Sequence, residues 1–142
     1  MLFGMTTSTS PGEILAGNIR AARGRKALEQ QDVADRMRAL GWTWVRQTVG
    51  EVEKNRRRLS TAEIYGRAVA LGTSIPALMA PADDDDDITF PSGLELSVTA
   101  AQMLAKGLPN IGVTWYGNKP VFNMPAATVE RYKEIFGDSK PE

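Results

Sequence analysis

The chain of 142 residues contains no cysteine and no histidine. Without Cys there is no disulfide frame, thiol nucleophile, cluster or Cys-built zinc site. Without His the commonest general base and the commonest transition-metal ligand are missing. Carboxylates, Lys and Tyr would have to carry any catalysis, and no nucleophile–base set assembles from them. No glycine-rich phosphate loop appears. The chain therefore reads as a non-enzyme that takes no cofactor and no metal. No apolar run approaches the roughly 18 residues of a membrane span. Met1 to Gly12 lacks the basic start of a signal peptide. No membrane partner is expected, and the expected location is cytoplasmic.

Net charge is also absent, because 17 Lys/Arg balance 17 Asp/Glu. The balance conceals a division. Residues 1–81 hold 12 Lys/Arg and 7 Asp/Glu, a net of +5, and residues 82–142 hold 5 and 10, a net of −5. The halves meet at Asp83–Asp87, five consecutive aspartates. That run lacks the spaced ligands and turn glycine of a calcium loop, so a solvated linker is favoured over a Mg²⁺ or Ca²⁺ site. A third reading makes it an internal DNA mimic competing with phosphate for the basic half. The divisions expected are a disordered tail over 1–11, a helical domain over 12–81, an acidic linker over 82–88 and a small α+β unit over 89–142.

Apolar residues recur at helical spacing through the first half. Leu15, Ile19 and Ala22 mark a first helix from about Gly12 to Arg25. Val33, Met37 and Leu40 mark a second from about Gln30 to Leu40, stopped by Gly41. A third is predicted from Trp44 to Lys54, with Thr43 as its N-cap and Val45, Val49 and Val52 facing inward. Arg46, Gln47, Gly50, Glu51 and Lys54 then share the opposite face. Asn55 suits a left-handed cap. Ser60-Thr-Ala-Glu63 reads as a capping box for a fourth helix with Ile64, Ala68 and Leu71 inward and Gly72 as its stop. Ser74 caps a short fifth helix with Pro76 in its first turn.

The second half holds a short strand around Leu94-Glu95-Leu96 and a helix over about Thr99–Lys106. A hairpin is predicted for Ile111–Tyr116 and Lys119–Met124 around Gly117-Asn118, a II′ turn. It would pair Trp115 with Pro120 and Val113 with Phe122, with one apolar face to pack. A last helix is expected over about Ala126–Phe136.

Five short helices with an Arg-bearing polar face on the third suggest a helix-turn-helix DNA reader. The major groove admits one helix, and Arg and Gln make bidentate contacts to guanine and adenine edges. Residues 14–80 resemble the Xre/Cro-type helix-turn-helix family of phage-like repressors. The resemblance rests on Ile19-Arg20, Arg23, Leu28 and Gln30-Gln31-Asp32-Val33-Ala34. It continues through Gln47-Thr48-Val49, Val52-Glu53-Lys54-Asn55-Arg56-Arg57 and Ala70-Leu71-Gly72-Thr73-Ser74-Ile75. Glu29 stands where the family usually has a Ser, Thr or Asn cap, and Ala27 where Gly is common. The stretch Arg36–Val45 is longer than in the simplest members.

The resemblance implies a mainly α fold: a five-helix, lambda-repressor-like domain followed by the small α+β unit. Arg46, Gln47 and Glu51 match the base-reading positions. Gln30 matches the glutamine that holds a phosphate and braces the recognition helix. Gln31, Thr48, Lys54, Asn55 and Arg56, Arg57 and Arg58 complete the expected phosphate contacts. Arg23 and Glu53 match a buried Arg–Glu pair tying the first helix to the third. Trp42 and Trp44 are read as packing residues of the extended turn rather than base-stacking ones. The implied function is a sequence-specific transcriptional regulator, a phage or prophage repressor on an operator in double-stranded DNA. Dimerisation through residues 89–142 is expected, with DNA contact by that unit as the other option. The alternative function is an antitoxin or adaptor whose acidic half binds a partner protein.

Overall fold

A computed structural model describes residues 9–107 and 112–123, together with 130 and 134. Their elements are α1 (Pro11–Arg25), α2 (Gln30–Ala39), α3 (Arg46–Glu53), α4 (Thr61–Leu71), α5 (Ile75–Met79), β1 (Ile88–Thr89), β2 (Glu95–Leu96), α6 (Val98–Lys106), β3 (Gly112–Tyr116) and β4 (Lys119–Asn123). The chain is mainly helical, with two small antiparallel sheets, β1–β2 and β3–β4. It divides into two compact units, Pro11–Met79 and Ala80–Glu142 with Met1–Ser10. Among the described residues no helix is long and apolar enough to cross a membrane.

The first unit packs α1 to α5 around one core. Ile19, Val33, Met37, Val49, Leu71 and Leu78 are almost fully removed from water there. Pro11 opens α1, where its missing N–H costs nothing. Glu13 in the first turn and Arg23 and Arg25 in the last complement the helix dipole. The helix ends in a double-bonded cap. Leu28 N–H donates to Arg23 O at 3.1 Å and Ala27 N–H to Gly24 O at 3.0 Å, with Ala27 left-handed at φ 53°. In α2 Val33 and Met37 are buried as expected, but Leu40 remains 44% exposed. Asp32 Oδ2 caps the start by accepting from Glu29 N–H at 2.8 Å.

The third helix differs from expectation at its start. It opens at Arg46 with Val45 as N-cap, not at Trp44 behind Thr43. Trp44 is buried to 3% exposure and donates its indole N–H to Glu63 of α4. Pulled inward, it holds this stretch in extended backbone, and Val45, expected inside, is 51% exposed. Val49 and Val52 keep their inward places. At the other end Arg56 N–H donates to Glu51 O at 2.8 Å and Asn55 N–H to Val52 O at 3.0 Å. Asn55 sits at φ 57°, the left-handed cap expected of it.

The capping box of α4 forms as its sequence predicts. Ser60 Oγ accepts from Glu63 N–H at 3.2 Å and Glu63 Oε1 from Ser60 N–H at 2.9 Å. The inward face of α4 carries more charge than its apolar spacing suggests. Ala68 and Leu71 are buried, Ile64 is half-buried, and Glu63 and Arg67 are buried beside them. Ser74 Oγ caps α5 by accepting from Ala77 N–H at 3.1 Å. Asn18 ties α5 back to α1 by donating to Leu78 O at 2.8 Å.

In the second unit β1 and β2 pair Ile88 with Leu96 and Thr89 with Glu95. Thr9, expected in a disordered tail, instead forms a parallel bridge with Ile88. Its N–H donates to Asp87 O at 3.3 Å and its carbonyl accepts from Thr89 N–H at 3.0 Å. The acidic run is mostly exposed, and three of its carboxylates make local or cross-segment bonds. Asp85 Oδ2 accepts from Ala82 N–H, Asp83 Oδ1 from Gln102 Nε2, and Asp87 Oδ1 from Val98 N–H. Ser97 caps α6 and Gly107 ends it at φ 71°.

The hairpin has the expected register, with Trp115 opposite Pro120 and Val113 opposite Phe122. Gly117 is left-handed at φ 64° while Asn118 is not, the pattern of a II′ turn. Trp115 is 62% exposed rather than packed. Ile111 and Met124, the outer ends of the predicted hairpin, and most of the helix expected over 126–136 lie outside the described residues.

Candidate nucleic-acid interface

The outward side of α3 presents the residues singled out for base reading. Arg46 and Gln47, in its first turn, are exposed, and Glu51 one turn on is half-buried. Lys54, Asn55, Arg56 and Arg58 continue the exposed surface past its end. Thr48 is half-buried and accepts from Val45 N–H through its hydroxyl at 3.3 Å. Gln31, exposed on α2, donates to Asp35 at 2.9 Å. Gln30 lies against α3. A Cβ on Gly50 would sit 3.7 Å from its amide, and its Nε2 reaches Glu53 Oε1 at 3.3 Å. Gln30 thus packs beside Gly50 with room left for a Cβ.

A charged frame stands behind this face. Arg23 donates to Glu53 through Nε at 2.6 Å and Nη2 at 2.9 Å, the fork geometry in which two parallel bonds fix orientation. Arg67, fully buried, reaches the same carboxylate at 3.5 Å. Burial alone would raise the Glu53 pKa, but bonds from Arg23 and Gln30 and the charges of Arg23 and Arg67 hold it below the ordinary range. Burial pushes Arg67 down to about 10 despite the pull of Glu53, so it stays cationic near neutrality. One carboxylate thereby joins α3 to both α1 and α4.

Glu63 makes a second junction. Its Oε2 accepts from Trp44 Nε1 at 3.0 Å and from Arg57 Nη2 at 2.8 Å. The Arg57 guanidinium lies 5.0 Å from the Trp44 ring centroid and that of Arg67 lies 5.5 Å from it, both within cation–π range. Burial acts to raise the Glu63 pKa, yet bonds from Arg57, the Ser60 N–H and the Trp44 indole lower it overall. Arg57 is therefore half-buried and engaged, unlike its exposed neighbours Arg56 and Arg58.

The resemblance paired Arg23 with Glu53 and set Gln30 to brace the third helix, but the sequence reading put Trp44 on that helix and missed Arg67 and the second task of Glu63. Glu63 carried a signal only as a cap. Arg67 carried one in its spacing, three residues after Ile64 and four before Leu71 on the inward stripe, although an Arg ordinarily reads as surface. Among the described residues no group of His, Cys, Asp and Glu is arranged to hold a metal ion. Comparison with protein-family models, curated proteins and solved structures finds no match to the chain.

Proposed function

We propose that the chain is a sequence-specific DNA-binding transcriptional regulator of the phage or prophage repressor type, built on a five-helix, lambda-repressor-like helix-turn-helix unit. The observation that carries the reading is the division of α3. Val49, Val52 and Glu53 are buried, while Arg46 and Gln47 stand exposed at its N-terminal end. That is the end which in helix-turn-helix readers contacts base edges. Arg46 and Gln47, with Glu51 behind them, select bases. Gln30, Lys54, Arg56 and Arg58 lie along the phosphates, helped by the net +5 of the first unit.

Selection from random duplex DNA tests this directly and gives the site and its symmetry. On the selected site Arg46→Ala is expected to cost ~1–3 kcal/mol and relax preference at one base pair. Footprinting that shows unchanged specificity for that variant overturns the placement of α3 in the groove. Pairing of two chains through residues 89–142 fits this reading, because such readers commonly occupy two half-sites. Light scattering that finds a monomer both free and on DNA rules it out.

A second reading is an antitoxin or adaptor. It draws on the hairpin, where Trp115 and Tyr116 are 62% and 64% exposed. Aromatic residues are enriched where protein surfaces meet. A stoichiometric protein partner that abolishes DNA selection on binding favours this reading.

A further inference from the structure

We propose that Arg57 is a positioning residue of α3 and not a phosphate contact, and that the Trp44–Arg57–Glu63 junction sets the direction in which Arg46 and Gln47 point. The inference rests on the DNA-reading function proposed above. Trp44 lies two residues before α3 and Arg57 four residues after it. The chain segments that enter and leave the helix therefore meet on a single atom, Glu63 Oε2 of α4, at 3.0 and 2.8 Å. Glu63 is itself held, since its other oxygen accepts from Ser60 N–H at 2.9 Å in the cap of α4.

α3 has eight residues, about two turns, and too few internal hydrogen bonds to hold its own geometry. Its first bonds, Thr48 N–H to Val45 O at 2.9 Å and Val49 N–H to Val45 O at 3.4 Å, start one residue after Trp44. A shift of the indole is transmitted straight to the turn that carries Arg46 and Gln47. The Glu53 junction fixes the inner face of α3 against translation. The Glu63 junction fixes both ends, which rotation about the helix axis would have to displace. Turning the Arg57 guanidinium toward a DNA phosphate would cost it the Nη2 bond to a carboxylate and its contact with an aromatic face. Arg56 and Arg58 are exposed and give up no such partner.

Phosphate contact and positioning make opposite predictions. A phosphate contact contributes about 0.9 to the slope of log affinity against log salt and acts on all sequences alike. A positioning residue leaves that slope unchanged and lowers the ratio of selected-site to random-duplex affinity. The test uses the full chain with Arg57→Gln, Glu63→Gln and Trp44→Phe, each verified as folded by circular dichroism. Binding is measured over a salt series on the selected duplex and on a random-sequence duplex. Amide exchange at Thr48 and Val49 is followed without DNA. The expected result is an approximately tenfold loss of selectivity in all three variants. The salt slope on random duplex stays constant and exchange at Thr48 and Val49 is about tenfold faster. Glu63→Gln is the sharpest variant. If Arg57 bound phosphate, freeing it from a competing carboxylate would tighten random-duplex binding.

A slope reduced by about one with selectivity intact in Arg57→Gln overturns the inference. Wild-type protein with no site selectivity overturns the DNA-reading function instead. Exchange at Thr48 and Val49 then still decides whether Arg57 holds α3, and unchanged exchange in Arg57→Gln and Trp44→Phe overturns that too.

Discussion

Gly50 and Gly66 are both helical glycines with unexceptional backbones, yet they answer to opposite constraints. A Cβ at Gly66 would meet the Trp42 ring at 2.5 and 2.7 Å. A Cβ at Gly50 meets only the Gln30 amide at 3.7 Å, ordinary contact. Replacing Gly by Ala inside a helix gains about 1 kcal/mol of propensity, and overpacking costs ~1–3 kcal/mol. Gly50→Ala is therefore expected to stabilise the fold by about 0.5–1 kcal/mol and Gly66→Ala to destabilise it by about 1 kcal/mol or more. Denaturant midpoints at constant slope measure both, and equal signs would contradict the packing of Trp42 on α4. At the same scale, Glu53 and Glu63 titrate below the ordinary glutamate range. A carboxyl whose folded pKa is depressed contributes stability present above its unfolded value of 4.5 and lost as pH falls through the folded value. Melting temperatures are expected to hold from neutrality to about pH 4.5 and to fall below it. In Glu63→Gln that acid decline is expected to be shallower, and an unchanged decline would remove Glu63 as a source of acid sensitivity.

At the scale of elements, caps and turns were the most legible features. Ser60 with Glu63, Ser74 before Pro76, Gly72 and Gly117-Asn118 each act through bonds to their own neighbours, so local sequence suffices to place them. The end of α1 shows the same logic with a residue less suited to it. Ala27 occupies the left-handed position of a doubly bonded cap, where a Cβ costs ~1–2 kcal/mol and glycine gives back part of that in chain entropy. Ala27→Gly is expected to raise stability by about 0.5–1 kcal/mol without altering DNA binding, as read by the denaturant midpoint. A loss of stability would mean that the Leu28-to-Arg23 bond does not define this end. The start of α3 was not legible. Thr43 has the composition of an N-cap and Val45 the spacing of a core residue. The burial of Trp44 against a helix seventeen or more residues away overrides both.

At the scale of the whole molecule the balanced charge is a sum over two units of opposite sign, +5 and −5. Charge is screened over about 10 Å at 0.1 M salt, so a basic face can act locally on a chain of zero net charge. The acidic run nevertheless places negative charge on a chain read as a DNA binder. Asp83, Asp85 and Asp87 have structural bonds, so deleting the run would damage the second unit. Asp84 and Asp86 are exposed and offer a cleaner probe. Asp84→Asn with Asp86→Asn raises the net charge from zero to +2 and is expected to strengthen binding to random duplex by a few-fold at low salt. The gain should vanish as salt rises. Equal affinities at low salt would leave the aspartates with only their turn-forming role.

Sequence by itself determined the helical and strand periods, most element ends, the hairpin register and the separation of charge. All but the last of these depend on residues close to one another in the sequence. It also marked Gln47 and Glu51 as polar positions opposite Val49 and Val52, with Arg46 beside them in the first turn. Tertiary structure alone decided that Thr9 joins β1 and that Arg67 finds Glu53 as its partner. It alone brought Trp44 and Arg57 together on one oxygen of Glu63. The physical reason is that a buried charge is tolerable only beside its partner. These partners come from opposite ends of α3 and from α4, a convergence that no local spacing encodes.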